Sequence, residues 1–218
     1  LLGVWLLASC QTGCQIVTGV MLIFQGRPEL KSDFERQTRK SLTEKDRQVL
    51  VLCTASEAVA REFSAVDLDL NAAISRRLKN ENIRLVDPHV AAKWIESHGG
   101  EVEDLAEIAT ELKADYVVQI RLDEFSYSNP NSPGMYQGTT QAKIQVFEFS
   151  PAEGDSKTKI ARRIYSTPFT LKYPERQPVP ADRESATVFR KRFTSEVSDG
   201  IAKLFYDHRP DEDFTSLR

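Results

Sequence analysis

Between Asp115 and Phe149 the chain reads DYVVQIRLDEF, then a turn-dense NPNSPG, then TTQAKIQVFEF. Ahead of the turn, Val118, Ile120 and Leu122 alternate with Gln119, Arg121 and Asp123; behind it, Thr140, Ala142, Ile144 and Val146 alternate with Thr139, Gln141, Lys143 and Gln145. A period of two sends successive side chains to opposite sides of an extended backbone. Two such runs joined by Asn, Pro, Ser and Gly predict a long hairpin, dry on one face and wet on the other. Lys159 to Tyr173 predicts a third antiparallel strand. A break is expected at Pro168, which has no N–H for a ladder, before Phe169, Leu171 and Tyr173 resume the alternation.

The rest of the chain supplies the layers for this sheet. Gln48 to Thr54, QVLVLCT, is a continuous apolar run, the pattern of a strand covered on both faces, with Cys53 as a buried small residue. Leu70, Ala73, Ile74 and Leu78 then form a helical stripe ending near Asn80, and Ile83 to Val86 predicts a short second strand. Asp87-Pro88 is a helix start, because the carboxylate caps free amides and proline at the first turn misses no donor. Val90, Trp94 and Ile95 share a face of that helix, which Gly99-Gly100 stops after His98. A further helix over Val102 to Leu112 turns Leu105, Ile108, Ala109 and Leu112 inward, and a last one over Arg183 to Tyr206 carries Phe189, Phe193, Val197, Ile201 and Leu204 on one face. That stripe is expected to cover the sheet, since leaving it bare would expose a large apolar patch. The predicted fold is a single α/β (α+β) domain with a mixed sheet, in the order β-α-β-α-α-β-β-β-α.

The opening, LLGVWLLASCQTGCQ, points away from a free-floating domain. Leu1 to Leu7 has the character of a secretory signal's apolar segment, and Leu7-Ala8-Ser9-Cys10 matches the pattern after which bacterial lipoproteins are acylated on cysteine. Cys14, with Gly13 before it and Gln11 in the usual apolar position, is the alternative; an uncleaved span is the third reading, because no charge precedes Arg27. All three tether the chain to a membrane. A Cys-x-x-x-Cys pair without a second Cys/His pair is a poor zinc site, so no metal and no cofactor is expected. The organisation read from these features is an anchor at 1–14, a polar tether at 15–45, a globular domain at 46–208 and an acidic tail at 209–218. A net charge of -3, with 28% charged residues, lacks the basic excess that nucleic acid would require.

Catalytic motifs are not evident: the chain has no G-x-S-x-G, no phosphate-binding glycine loop and no H-E-x-x-H. His89, His98 and His208 stand at spacings that suggest no shared metal and read as singly exposed. Asp123-Glu124 sits at a phase change in a strand, either as a paired-carboxylate site for an envelope hydrolase or as a solvated bulge. Arg190-Lys191-Arg192 reads as the wet face of the last helix or as a docking patch for an acidic partner. A cleft beside the Trp94 helix is the place a small ligand would take.

From Leu105 to Leu122, LAEIATELKADYVVQIRL, the chain resembles the superfamily of penicillin-binding-protein activator lipoproteins, curli-secretion lipoproteins and the N-terminal domain of the periplasmic Tol translocation protein. The shared plan is the opening strand Val49 to Cys53, a helix, the step Leu85-Val86-Asp87, a second helix, and the helix-to-strand passage Ala109 to Val118. Lys113 and Gln119 depart from it, each standing where glycine is common. The resemblance implies a non-catalytic envelope lipoprotein that reaches from a membrane to bind a protein partner. Gln rather than Asp after either cysteine, Gln11 or Gln15, is the signal that in some bacteria sends a lipoprotein to the outer membrane, facing the periplasm. Phe125 to Tyr136 is too short and polar for a membrane-crossing hairpin, which favours an adaptor over a pore. Changing Cys10→Ser is expected to move the chain from the membrane to the soluble fraction. Release by Cys14→Ser alone would shift the lipid four residues on, and retention of both variants would leave the uncleaved span.

Overall fold

The computed structural model describes residues 30–209 except 45, 101, 129–132 and 153–154, with side chains of 152–158 left aside. Its packed unit, Ser32–Tyr206, is the mixed sheet with helices that the sequence predicts. Strand β1 (Val49–Ala55) pairs in parallel with β2 (Tyr116–Ser128), which pairs antiparallel with β3 (Met135–Ala152) and through it with β4 (Asp155–Tyr173); β5 (Val179–Pro180) pairs with Met135 and Tyr136 of β3. The helices are α1 (Asp33–Thr38), α2 (Glu57–Glu62), α3 (Val66–Asn80), α4 (Pro88–Ser97), α5 (Leu105–Glu111) and α6 (Ala186–Ala202). A second small unit contains residues 30–31 and 207–209 among those described; in it Leu30 and His208 exchange backbone hydrogen bonds of 2.9 and 3.2 Å, and Lys31 meets Asp207 at 2.9 Å.

The alternation in the sequence is the alternation in the sheet. Val118 lies opposite Val146, Ile120 opposite Ile144 and Leu122 opposite Ala142, all buried on one face. Helix α6, capped by the Ser185 hydroxyl, presses Phe189, Phe193, Val197 and Ile201 onto that face, and each is wholly buried. Gly138 of β3 makes room for it: a Cβ there would fall 2.4 Å from the Phe193 ring. Arg77 of α3 holds α6 alongside, donating to the Ser195 carbonyl at 3.0 Å and its hydroxyl at 2.7 Å. On the opposite face Leu50, Leu52, Val117 and Phe149 pack under Ala91 and Trp94 of α4 and Ile108 and Ala109 of α5. Strand β1 is thus covered on both sides, as its unbroken apolar run requires.

Three local expectations change. Ile83 to Val86 is a single bridge, Leu85 to Val49, because the Asp87 cap starts α4 at once and takes the chain away from the sheet. Strand β4 runs through Pro168, opposite Lys143, without a break; β4 ends the ladder order, and an edge strand tolerates a missing N–H. Lys113 has φ +56° directly after α5, the left-handed position that glycine takes without strain, which gives the physical reason a glycine suits it.

The polar segment read as tether also changes, for part of it is core. Ser32 caps α1 by accepting from the Glu35 N–H at 3.1 Å, and Phe34 and Leu42 are both fully buried. The Phe34 ring meets Tyr165 edge-on at 5.5 Å and Phe205 at 6.0 Å. Two apolar side chains among polar neighbours make no periodic signal, yet each fills a space in the core. Lys40, from the same segment, pairs with Glu148 of β3, which also binds Arg162 at 2.6 Å. Burial alone would raise the Glu148 pKa, but hydrogen bonds and charge from Arg162 and Lys40 outweigh it and bring it from 4.5 down to about 2.

Two outcomes follow. Phe34→Ala should destabilise the fold by about 3–5 kcal/mol in denaturant unfolding, through lost contact and a cavity; an unchanged midpoint would return α1 to the tether. Because the Glu148 pKa is depressed in the folded state, its contribution is complete above its unfolded value and lost as pH falls through the folded one. The stability gap between the parent protein and Glu148→Gln should therefore be constant above pH 4.5 and close as pH approaches about 2, read as melting temperature against pH.

Candidate functional site

Helices α4 and α5 cover one end of the second face of the sheet, over β1, the start of β2 and the Phe149 end of β3, where Lys159 of β4 donates to the Ala114 carbonyl at 2.6 Å. From Arg121 onward the side chains of that face are exposed among the described residues: Arg121 and Glu124 on β2, Gln141 and Lys143 on β3, Pro168, Thr170 and Lys172 on β4. The register sets Arg121 directly opposite Lys143, with Pro168 beyond, and Thr139 opposite Lys172. Like charges facing each other across strands oppose pairing. Arg121 is partly compensated by Asp123, Nε to Oδ1 at 2.9 Å, and Glu124 accepts from the Gln141 amide at 2.6 Å. Lys143, Lys172 and Arg163 add positive charge to the same surface.

The residues singled out from sequence are distributed as follows. Cys10 and Cys14 lie outside the described residues, as does the tail from 210 on. Asp123 is the residue left out of the pairing in the register shift between Leu122 and Glu124, the bulge that their phase change predicts. Each carboxylate takes a different partner. Arg190, Lys191 and Arg192 are all exposed, as the wet face of α6, and point about 100° apart in succession. The Arg190 guanidinium lies 5.0 Å over the Tyr127 ring, while Arg192 reaches Glu184 at 3.0 Å. Cys53 is partly buried against the core, and burial, with Asp67 adding to it, holds its thiol in the protonated form.

Trp94 is packed into the core rather than lining a cleft, at 8% exposure. An open cleft of about 420 Å³ lies instead at the start of α6, lined by Val179, Arg183, Glu184, Ser185, Val188 and Arg192. Of the histidines, His89 is exposed at the start of α4. His98 is not a lone surface side chain: its ring stacks on Trp94 at 3.9 Å and comes near Glu107 and Glu111 of α5. The four-residue spacing of those two glutamates was visible in the sequence, but the turn that brings His98 to them was not.

Among the described residues no helix is long and apolar enough to cross a membrane. No protein-family pattern matches this chain, and no curated protein matches it. Solved structures similar to it include the lipoprotein GNA1162 from Neisseria meningitidis, 14% identical over 72% of this chain and 98% of that one, with a TM-score of 0.41. The PelC dodecamer from Paraburkholderia phytofirmans is 12% identical over 81% and 93%, at 0.41, and a minor lipoprotein from Acinetobacter baumannii is 11% identical over 75% and 97%, at 0.27. Likenesses of this size carry no argument about what this chain does.

Proposed function

We propose that this chain is a non-catalytic envelope lipoprotein, anchored at Cys10 on the periplasmic side of the outer membrane, that works by binding a protein partner. The partner's acidic surface docks on the uncovered sheet face. The observation that carries this reading is the pair Arg121 and Lys143, two cations held opposite each other on an exposed face that no described helix covers. Such a pair costs the isolated domain stability, and carboxylates from a partner would offset that cost while fixing the partner's register. Gln119, Gln141, Gln145 and Thr170 around the pair offer the hydrogen bonds of a polar rim. The Leu7-Ala8-Ser9-Cys10 pattern supplies the anchoring half of the reading, and the several acyl chains of a bacterial lipoprotein hold stably where one would not.

The two effects of one substitution separate this function from mere surface charge. Lys143→Glu places a carboxylate opposite Arg121, so the fold should gain about 0.2–1 kcal/mol while partner capture falls. Lys172→Glu should weaken capture without that gain. Thermal unfolding and quantitative mass spectrometry of proteins co-purified from solubilised envelopes read the two effects. An unchanged set of co-purified proteins when Lys143→Glu and Lys172→Glu are combined would overturn the docking face.

A further inference from the structure

We propose that His98, Glu107 and Glu111 form a site for a divalent first-row transition metal, zinc by preference, which ties the end of α4 to α5. The three residues offer ligand atoms that all lie within 4.8 Å of one another. They come from two elements. Glu107 and Glu111 are one turn apart on α5, whereas His98 follows α4 and precedes Gly99 and Gly100, whose φ values of +91° and +88° fold the chain back. Ligands around one zinc ion stand about 2.0–2.2 Å from it, so the separations close on an ion with small torsional adjustments of two exposed glutamates.

The surroundings orient the donors as a metal requires. The Trp94 carbonyl lies 2.8 Å from His98 Nδ1 and also accepts the Ser97 hydroxyl proton at 2.8 Å. The Ser97 proton is thereby used, so Nδ1 carries its own proton toward that carbonyl and the lone pair is left on Nε2. A backbone carbonyl that fixes the tautomer is the usual outer partner of a ligating histidine. The Trp94 indole N–H donates to Glu111 Oε2 at 2.7 Å, which orients that carboxylate and leaves Oε1 for the ion. The stacked Trp94 ring, at an interplanar angle of 13°, holds the imidazole plane. Without a cation, Glu107 and Glu111 repel each other along the helix. One imidazole with two carboxylates suits zinc and its neighbours better than calcium or magnesium, which take oxygen donors alone, or copper(I), which prefers sulfur. The remaining positions would be filled by water or by a donor from a partner.

The test is calorimetric titration of the full chain, stripped with chelator, with zinc chloride, followed by the same titration of His98→Ala and Glu107→Gln. The parent should bind one equivalent that each variant loses or binds at least about tenfold more weakly. His89→Ala should bind like the parent. The metal-free melting temperature of Glu107→Gln should be no lower than the parent's, because one charge of a repelling pair is gone, and added zinc should raise only the parent's. Equal zinc affinity in the parent and both variants would overturn the site, and so would a parent whose melting temperature zinc does not move.

Discussion

Everything in this fold rests on the antiparallel register between β2 and β3. With Val118 on Val146, Ile120 on Ile144 and Leu122 on Ala142, one face of the hairpin is a continuous apolar surface, and a slip of one residue would turn all of it to water. The same register positions Gly138 where the Phe193 ring needs space, so the hairpin and α6 specify each other. It also decides the opposite face. If Ile120 faces inward, Arg121 and Lys143 must face outward together, and the charge pair of the proposed docking surface is a consequence of the core.

The strength of this constraint explains what could be read without coordinates. Elements with several periodic apolar residues, namely β2, β3, α3, α4 and α6, announce themselves, and the Asp87-Pro88 start of α4 is encoded in two residues. Short elements escape because one or two side chains make no period. Helix α1 contributes Phe34 alone to the core, and Leu42 follows it from a turn. The mistaken tether came from weighing composition over a segment in which two buried side chains mattered more than the polar ones. The break expected at Pro168 failed for a different reason: the rule against proline applies inside a sheet, and the order of strands, which places β4 last, is a tertiary fact.

The site was legible to the same extent. That β2 and β3 have a wet face follows from Gln119, Arg121, Gln141 and Lys143; that two cations stand opposite each other does not, because the length of the turn alone leaves the register open. The basic triplet of α6 is exposed, as a wet helix face should be, but its arrangement was not legible. Arg190, Lys191 and Arg192 are adjacent in sequence, but the helix separates them and the fold engages Tyr127 and Glu184 with the outer two. His98 was read by its distance from other histidines, and its neighbours in space are glutamates.

The proposed function makes the sheet face a surface that is covered in the envelope and bare in isolation. The most direct measurement is lysine acetylation footprinting of Lys143 and Lys172, in intact envelopes and on the purified chain, with exposed Lys93 of α4 as the reference. The account predicts that both lysines are modified several-fold more slowly in the envelope than after purification, while Lys93 is unchanged. Equal rates for Lys143 and Lys172 in the two states would contradict it.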